Sequence, residues 1–238
     1  MPSRKTLKLR DKKKERTRDE ILKVAHGFFL ENVYNDVSVE DIAEKAFVSR
    51  TTIYNYFNGK DEILFALGAQ LFEKVNEYIE NTVPSDLPGN EQVLKLCELT
   101  FKMHHNNMVV YDILIEFYKR IQKIHNVYEF LNEISESIQT KKYKELIEKS
   151  KEPYLIEFCA QNIKNEDLWK SFVQKGKEDR TIKKELETVY IVFYVFMMIS
   201  GLVHEMKMRR TSLERIGMED ELFIKNSLEL ISIFLKSK

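Results

Sequence analysis

The sequence predicts an all-α protein in two parts, an N-terminal three-helix head built on a helix-turn-helix and a larger helical domain behind it. Three observations predict it. The 238 residues include only 7 Gly and 4 Pro, too few for a sandwich or barrel full of turns. Long runs of Lys, Glu, Leu and Ile fall at helical spacing. Residues 38–60, SVEDIAEKAFVSRTTIYNYFNGK, read as two short amphipathic helices joined by a tight turn, the spacing of a helix-turn-helix.

Taken in order, residues 1–16 form a basic arm. Net charge over the chain is zero, yet nine of the first 18 residues are Lys or Arg, against Asp11 and Glu15. Basic charge is thus concentrated beside the helix-turn-helix, where attraction to phosphates would need it. The arm is expected to be disordered alone and to lie along DNA when bound. No apolar h-region follows these charges, so no targeting leader is expected. The head itself spans 17–60. Its first helix is predicted from about Thr17 to Asn32, burying Ile21, Leu22, Ala25, Phe28 and Phe29 on one face.

Ser38 caps the second helix, with Asp41 three residues on as partner of a capping box. Val39, Ile42 and Ala43 give that helix its apolar face. Ser49 caps the third, where Ile53 and Phe57 point inward together at i and i+4. Arg50, Thr51, Thr52, Tyr54, Asn55 and Tyr56 are left between packing and solvent. A short helix so rich in hydrogen-bonding groups suits a major groove, where base edges present donors and acceptors.

From Thr17 to about Leu67 the chain resembles the DNA-binding domain of TetR-family transcriptional regulators. The matching pieces are ILKVAHGFF, Tyr34 with SVEDIA, and VSRTTIYNYFNGKDEIL. They cover about a fifth of the chain, with several fixed spacings in agreement. Two positions depart from the family, Val33 and Phe47, where it usually has Gly. A bulky residue resists the backbone such positions want. The expected adjustment is a left-handed Asn32 and a turn at Phe47 relaxed to a right-handed one.

Residues 61–238 are expected to form a helical regulatory and dimerisation domain, joined to the head by a helix from about 60 to 83. Asp61 and Glu62 complement its N-terminal dipole. PSDLPGN (84–90) reads as a loop. Further helices are predicted over 91–105, 108–124 and 127–149, then from Pro153 to a segment anchored by Trp169 before Gly176. Residues 189–203, VYIVFYVFMMISGLV, are apolar apart from Ser200 and Gly201. Fifteen residues fall short of the ~20 of a membrane span. A helix apolar all round must be covered on every side. The obvious outer cover is a second subunit, with 218–236 as partner helix. The resemblance implies the same, a homodimer through the last two long helices.

The candidate DNA contacts are Ser38, Ser49, Arg50, Thr51, Thr52, Tyr54, Asn55, Tyr56 and Lys60. By resemblance and chemistry, Arg50, Thr51, Thr52 and Asn55 are assigned to base edges, and Ser38, Tyr54, Tyr56 and Lys60 to phosphates. Packing between helices is the competing reading of Tyr54. The resemblance also implies a small-molecule effector that loosens DNA binding. Met103, His104, Tyr111, Phe117, Tyr118, Phe158, Phe193, Phe196 and Met197 are its candidate lining, suited to something lipophilic; plain core is the competing reading. Cys97 and Cys159 lack a CxxC pair and read as reduced core cysteines. No Gly-rich phosphate loop, nucleophile elbow, HExxH or Cys/His cluster is present, so neither catalysis, metal nor cofactor is expected. The expected protein is a cytoplasmic regulator, with double-stranded operator DNA as partner, a repressor released by its effector. The alternative is a ligand-independent DNA-binding or partner-recruiting protein with a filled regulatory domain.

Overall fold

The computed structural model describes residues 4–32, 34–106, 108–124 and 126–236, with side chains for all of these except 4–11, 103–106, 108–112, 114, 115 and 207. Every regular element among them is helical: α1 Arg4–Glu31, a 3-10 turn Tyr34–Asp36, α2 Val39–Lys45, α3 Arg50–Tyr54, α4 Lys60–Thr82, α5 Gly89–Asn106, α6 Met108–Ile121, α7 Val127–Gln139, α8 Tyr143–Lys149, α9 Pro153–Glu178, α10 Thr188–Met208, α11 Arg210–Arg215 and α12 Asp220–Leu235. They form two compact units. One holds Met1–Phe72 and Met108–Ala160, the other Glu73–Asn107 and Gln161–Lys238. Helices α4 and α9 each contribute residues to both.

In the first unit, α1 buries Ile21, Leu22, Ala25 and Phe29 as the periodicity predicts but leaves Phe28 only half-buried; Tyr34, Ile42, Ala43, Ile53 and Phe57 of the following elements are buried too. Its start is a correction. The basic segment expected as a disordered arm is helical from Arg4, well before Thr17. After Pro2 no Gly or Pro interrupts it, and its Lys, Arg and Leu are good helix formers. The predicted capping box is present: Ser38 Oγ accepts from the Asp41 amide at 3.1 Å, and the Ser38 amide donates to Asp41 Oδ2 at 2.9 Å.

The turn between α2 and α3 is a second correction. Phe47 does not relax to a right-handed conformation; its φ is +53°. The Phe47 amide donates to Glu44 O and the Val48 amide to Ala43 O, at 3.1 and 3.0 Å. Those two bonds are the Schellman ending of α2, which places a left-handed residue where Phe47 stands. Asn32 donates both its backbone and its side-chain N–H to Phe28 O. Val33 lies outside the described residues.

The rest of the first unit packs around an aromatic cluster. Phe158 meets Phe65, Phe72 and Phe117 at centroid distances of 5.9, 5.5 and 4.9 Å. Gly68 sits under it; a Cβ there would lie 2.7 Å from the Phe158 ring. The Phe158 side chain is fully buried. Phe158→Ala is expected to cost ~3–5 kcal/mol in a urea titration, the range for removing a large buried aromatic. An effector-lining residue with space beside it would cost much less.

The predicted single helix over 127–149 is two, α7 and α8, broken where Lys141 turns left-handed (φ +59°) and the Lys142 amide closes onto Ser137 O. Neither Gly nor Pro marks that break in the sequence. In the second unit, Trp169, Val173, Leu96, Cys97, Phe101, Ile191, Val195, Ile199, Ile231 and Leu235 share one core. Burial pushes the Cys159 thiol up to about 12 and Cys97 higher still, consistent with inert core cysteines. Gly176 lies inside α9 and does not end it. Helix α10 is longer than its apolar run suggested: Thr188–Met206, with mean hydropathy 1.7, reaches 19 residues, enough by length and composition to cross a membrane. One face of it, Ile191, Val192, Val195, Ile199 and Val203, is built into the core instead.

Candidate nucleic-acid interface

The site is assembled from α1, α3 and the first turn of α9, all in the first unit. Ser49 Oγ accepts from the Thr52 amide at 3.0 Å and pairs with the Thr52 hydroxyl at 2.8 Å, so both residues serve to start α3. Ile53 and Phe57 anchor the helix inward. Arg50, Thr51, Tyr54 and Asn55 are exposed. The Arg50 guanidinium lies 2.8 Å from Glu40 of α2 and 5.5 Å over the Tyr54 ring. Tyr54, by its hydroxyl, and then Glu40 raise the pKa of Arg50 above its already high value. The pair occupies one terminal nitrogen of an exposed guanidinium that has five N–H donors.

Two predicted contacts already hold structural bonds. Ser38 is committed to Asp41, whose carboxyl it holds below the usual value through its hydroxyl and then its amide. Lys60 Nζ donates to Tyr34 O at 2.7 Å and Val37 O at 2.8 Å, above the Tyr34 ring. It thereby fixes the turn before α2.

Tyr56 is half-buried, with Lys14 of α1 6.0 Å over its ring. Beside it, Lys14, Glu15, Arg18, Asn55, Tyr56 and Tyr154 line an open groove of about 330 Å³. The Arg18 guanidinium stacks on Tyr154 at 5.1 Å and donates to its hydroxyl at 3.2 Å. Tyr154 in turn packs on Phe57 at 5.1 Å. Sequence reading missed Tyr154, because nothing local signals that a residue about a hundred positions on reaches the recognition helix.

The candidate effector lining is divided between the units. Phe117 and Phe158 are in edge-to-face contact within the first, with Tyr118 exposed beside them. In the second, Phe196 packs on Trp169 at 4.9 Å, while Phe193 and Met197 face outward from α10. The side chains of Met103, His104 and Tyr111 lie outside those described.

A helix-turn-helix head with an exposed polar recognition helix, followed by a larger helical domain, defines a DNA-binding transcriptional regulator. Residues 21–67 match the family model described as bacterial regulatory proteins, tetR family. That segment of the chain is a tetR-family DNA-binding domain. Solved structures agree in fold along nearly the whole length of the chain. FadR from Bacillus subtilis, in complex with stearoyl-CoA, is 18% identical, with 91% of this chain and 98% of that one covered and a TM-score of 0.59. A Saccharomonospora viridis protein described as a transcriptional regulator, in complex with choline, is 12% identical over 94% and 100% of the chains, with a TM-score of 0.66. The ketosteroid regulator KstR2 of Mycobacterium tuberculosis is 15% identical over 93% and 95%, with a TM-score of 0.53. No curated protein matches the sequence.

Proposed function

We propose that the chain is a cytoplasmic, non-enzymatic repressor that binds a palindromic operator as a homodimer and is released by a small lipophilic effector. The observation that carries the reading is a pairing of exposures. The head displays Arg50, Thr51, Tyr54 and Asn55 to solvent, with basic α1 beside them. In the other unit, Val189, Tyr190, Phe193, Tyr194 and Met197 of α10 and Leu222, Leu230 and Ile233 of α12 are exposed too. Two apolar rows of this kind call for a cover, and a second copy supplies an identical one. A dimer would set two recognition helices about one duplex turn apart, ~34–36 Å. In the head, Arg50, Thr51, Thr52 and Asn55 read base edges. Ser38, Tyr54, Tyr56 and Lys60 set register on phosphates, and Ser49 holds the start of α3 beside them.

Selection of bound duplexes from a random pool tests this, with an inverted repeat as the expected product. Phe193→Glu combined with Ile233→Glu is expected to give a monomer by sedimentation and to abolish binding to that repeat. A dimer that persists would remove α10 and α12 from the interface. Stearoyl-CoA is the first effector probe, since a relative of the same fold was solved with it. Coupling of ~1–3 kcal/mol would lower operator affinity about 5–150-fold. Helices α4 and α9, which take part in both units, are the candidate carriers of that coupling.

One observation favours a second reading, the filled regulator without an effector. Phe158 has no exposed surface, and Gly68 beneath it has no room even for a methyl group. Operator affinity unchanged across lipophilic probes would support it.

A further inference from the structure

We propose that Phe47 is a DNA contact whose ring packs on a thymine C5-methyl where the recognition helix enters the major groove. The proposal rests on the reading of the head as a DNA-binding domain. Phe47 combines two unfavourable features. Its backbone is left-handed, a region bulky L-residues resist. Its side chain is 97% exposed, so nothing within the chain covers the ring.

The fold does not require that ring. The α2 ending is made by backbone bonds from the Phe47 and Val48 amides, which Gly or Asn would make equally well. The side chain therefore has a use outside the chain. Its position says which. Two residues separate Phe47 from Arg50, the first residue of α3, and the exposed side chains of α3 and its C-cap are Arg50, Thr51, Tyr54 and Asn55. Their ends supply hydrogen bonds, with the Thr51 methyl as the one terminal aliphatic group. Thymine is distinguished in the major groove by a methyl group, which is read by apolar contact, Phe included.

The test uses the duplex that the full-length protein selects from a random pool. Affinities are measured for the parent, Phe47→Gly and Phe47→Asn, on that duplex and on copies with each dT replaced singly by dU. Gly and Asn both accept the left-handed backbone, so neither variant should misfold. Expected results are about tenfold weaker binding by both variants, as for loss of a buried aromatic contact, with a higher urea midpoint for Phe47→Gly. At one position, dU should weaken the parent roughly fourfold, the effect of one buried methyl, and leave both variants unaffected. Variants that bind as tightly as the parent and share its dU profile would overturn the contact while leaving the DNA-binding head intact. A pool that yields no enriched duplex would overturn the underlying reading, and the contact with it.

Discussion

Gly89→Ala is expected to destabilise the second unit by about 3 kcal/mol, the upper end for overpacking, because the obstacle is backbone. A Cβ at Gly89 would lie 2.0 Å from the Gly176 amide nitrogen and 2.3 Å from its Cα. Neither can rotate away as a side chain would. The crossing is tied further: the Gly89 amide donates to Asp179 Oδ2 at 2.7 Å, and Lys175 Nζ donates to Ser85 O and Leu87 O. Urea denaturation should show a lower midpoint, whereas Gly27→Ala, with nothing within 4 Å of its added Cβ, should raise the midpoint through a gain in stability of ~0.5–1 kcal/mol. Equal midpoints for the two variants would mean that the crossing is looser than described. The same tie has a pH signature. Burial raises the Asp179 carboxyl, but the Thr181 hydroxyl, the Gly89 and Thr181 amides and Lys175 outweigh it and leave the pKa below its usual value. A carboxyl depressed in the fold adds stability above its unfolded pKa of ~3.9, and that stability is lost as pH falls below it.

Arg50→Ala is expected to relax sequence preference at one position of the half-site, and Asn55→Ala at another. Each bidentate pairing with a base is worth ~1–3 kcal/mol, so the preferred base should lose about 5–150-fold of its advantage. Arg50→Lys should fail similarly, since an ammonium cannot make the planar two-donor contact. Glu40→Gln gives the opposite sign. It frees Arg50 from the 2.8 Å pair and removes a negative charge from the phosphates' side, so overall affinity should rise. Duplex preference untouched by Arg50→Ala and Asn55→Ala would refute their assignment to base edges.

Much of the head was legible in the sequence because its signals are local. Ser38 and Asp41, Ser49, and the inward Ile53 and Phe57 depend on spacings of three or four residues, and all appear as read. Phe47 was visible as a departure but not in its outcome. A bulky residue at a Gly-type position is expected to relax the turn, whereas the α2 ending dictates a left-handed residue whatever its side chain. The charge that makes Lys60 a candidate phosphate contact is legible in a sequence. The carbonyls of Tyr34 and Val37 that it serves are not.

By itself the sequence determined an all-helical chain, the capped helix-turn-helix with its polar outer face, and an apolar C-terminal segment in need of cover. Each follows from periodicity and capping within a few residues. Only the tertiary structure decided that Phe158 closes an aromatic core, that Tyr154 reaches Arg18 and Phe57, and that Gly89 and Gly176 permit a backbone crossing. It also decided which face of α10 is buried and which is left exposed. Those outcomes depend on residues about 40 to 140 positions apart along the chain, and such contacts are set by how whole helices fill space, which no local pattern encodes.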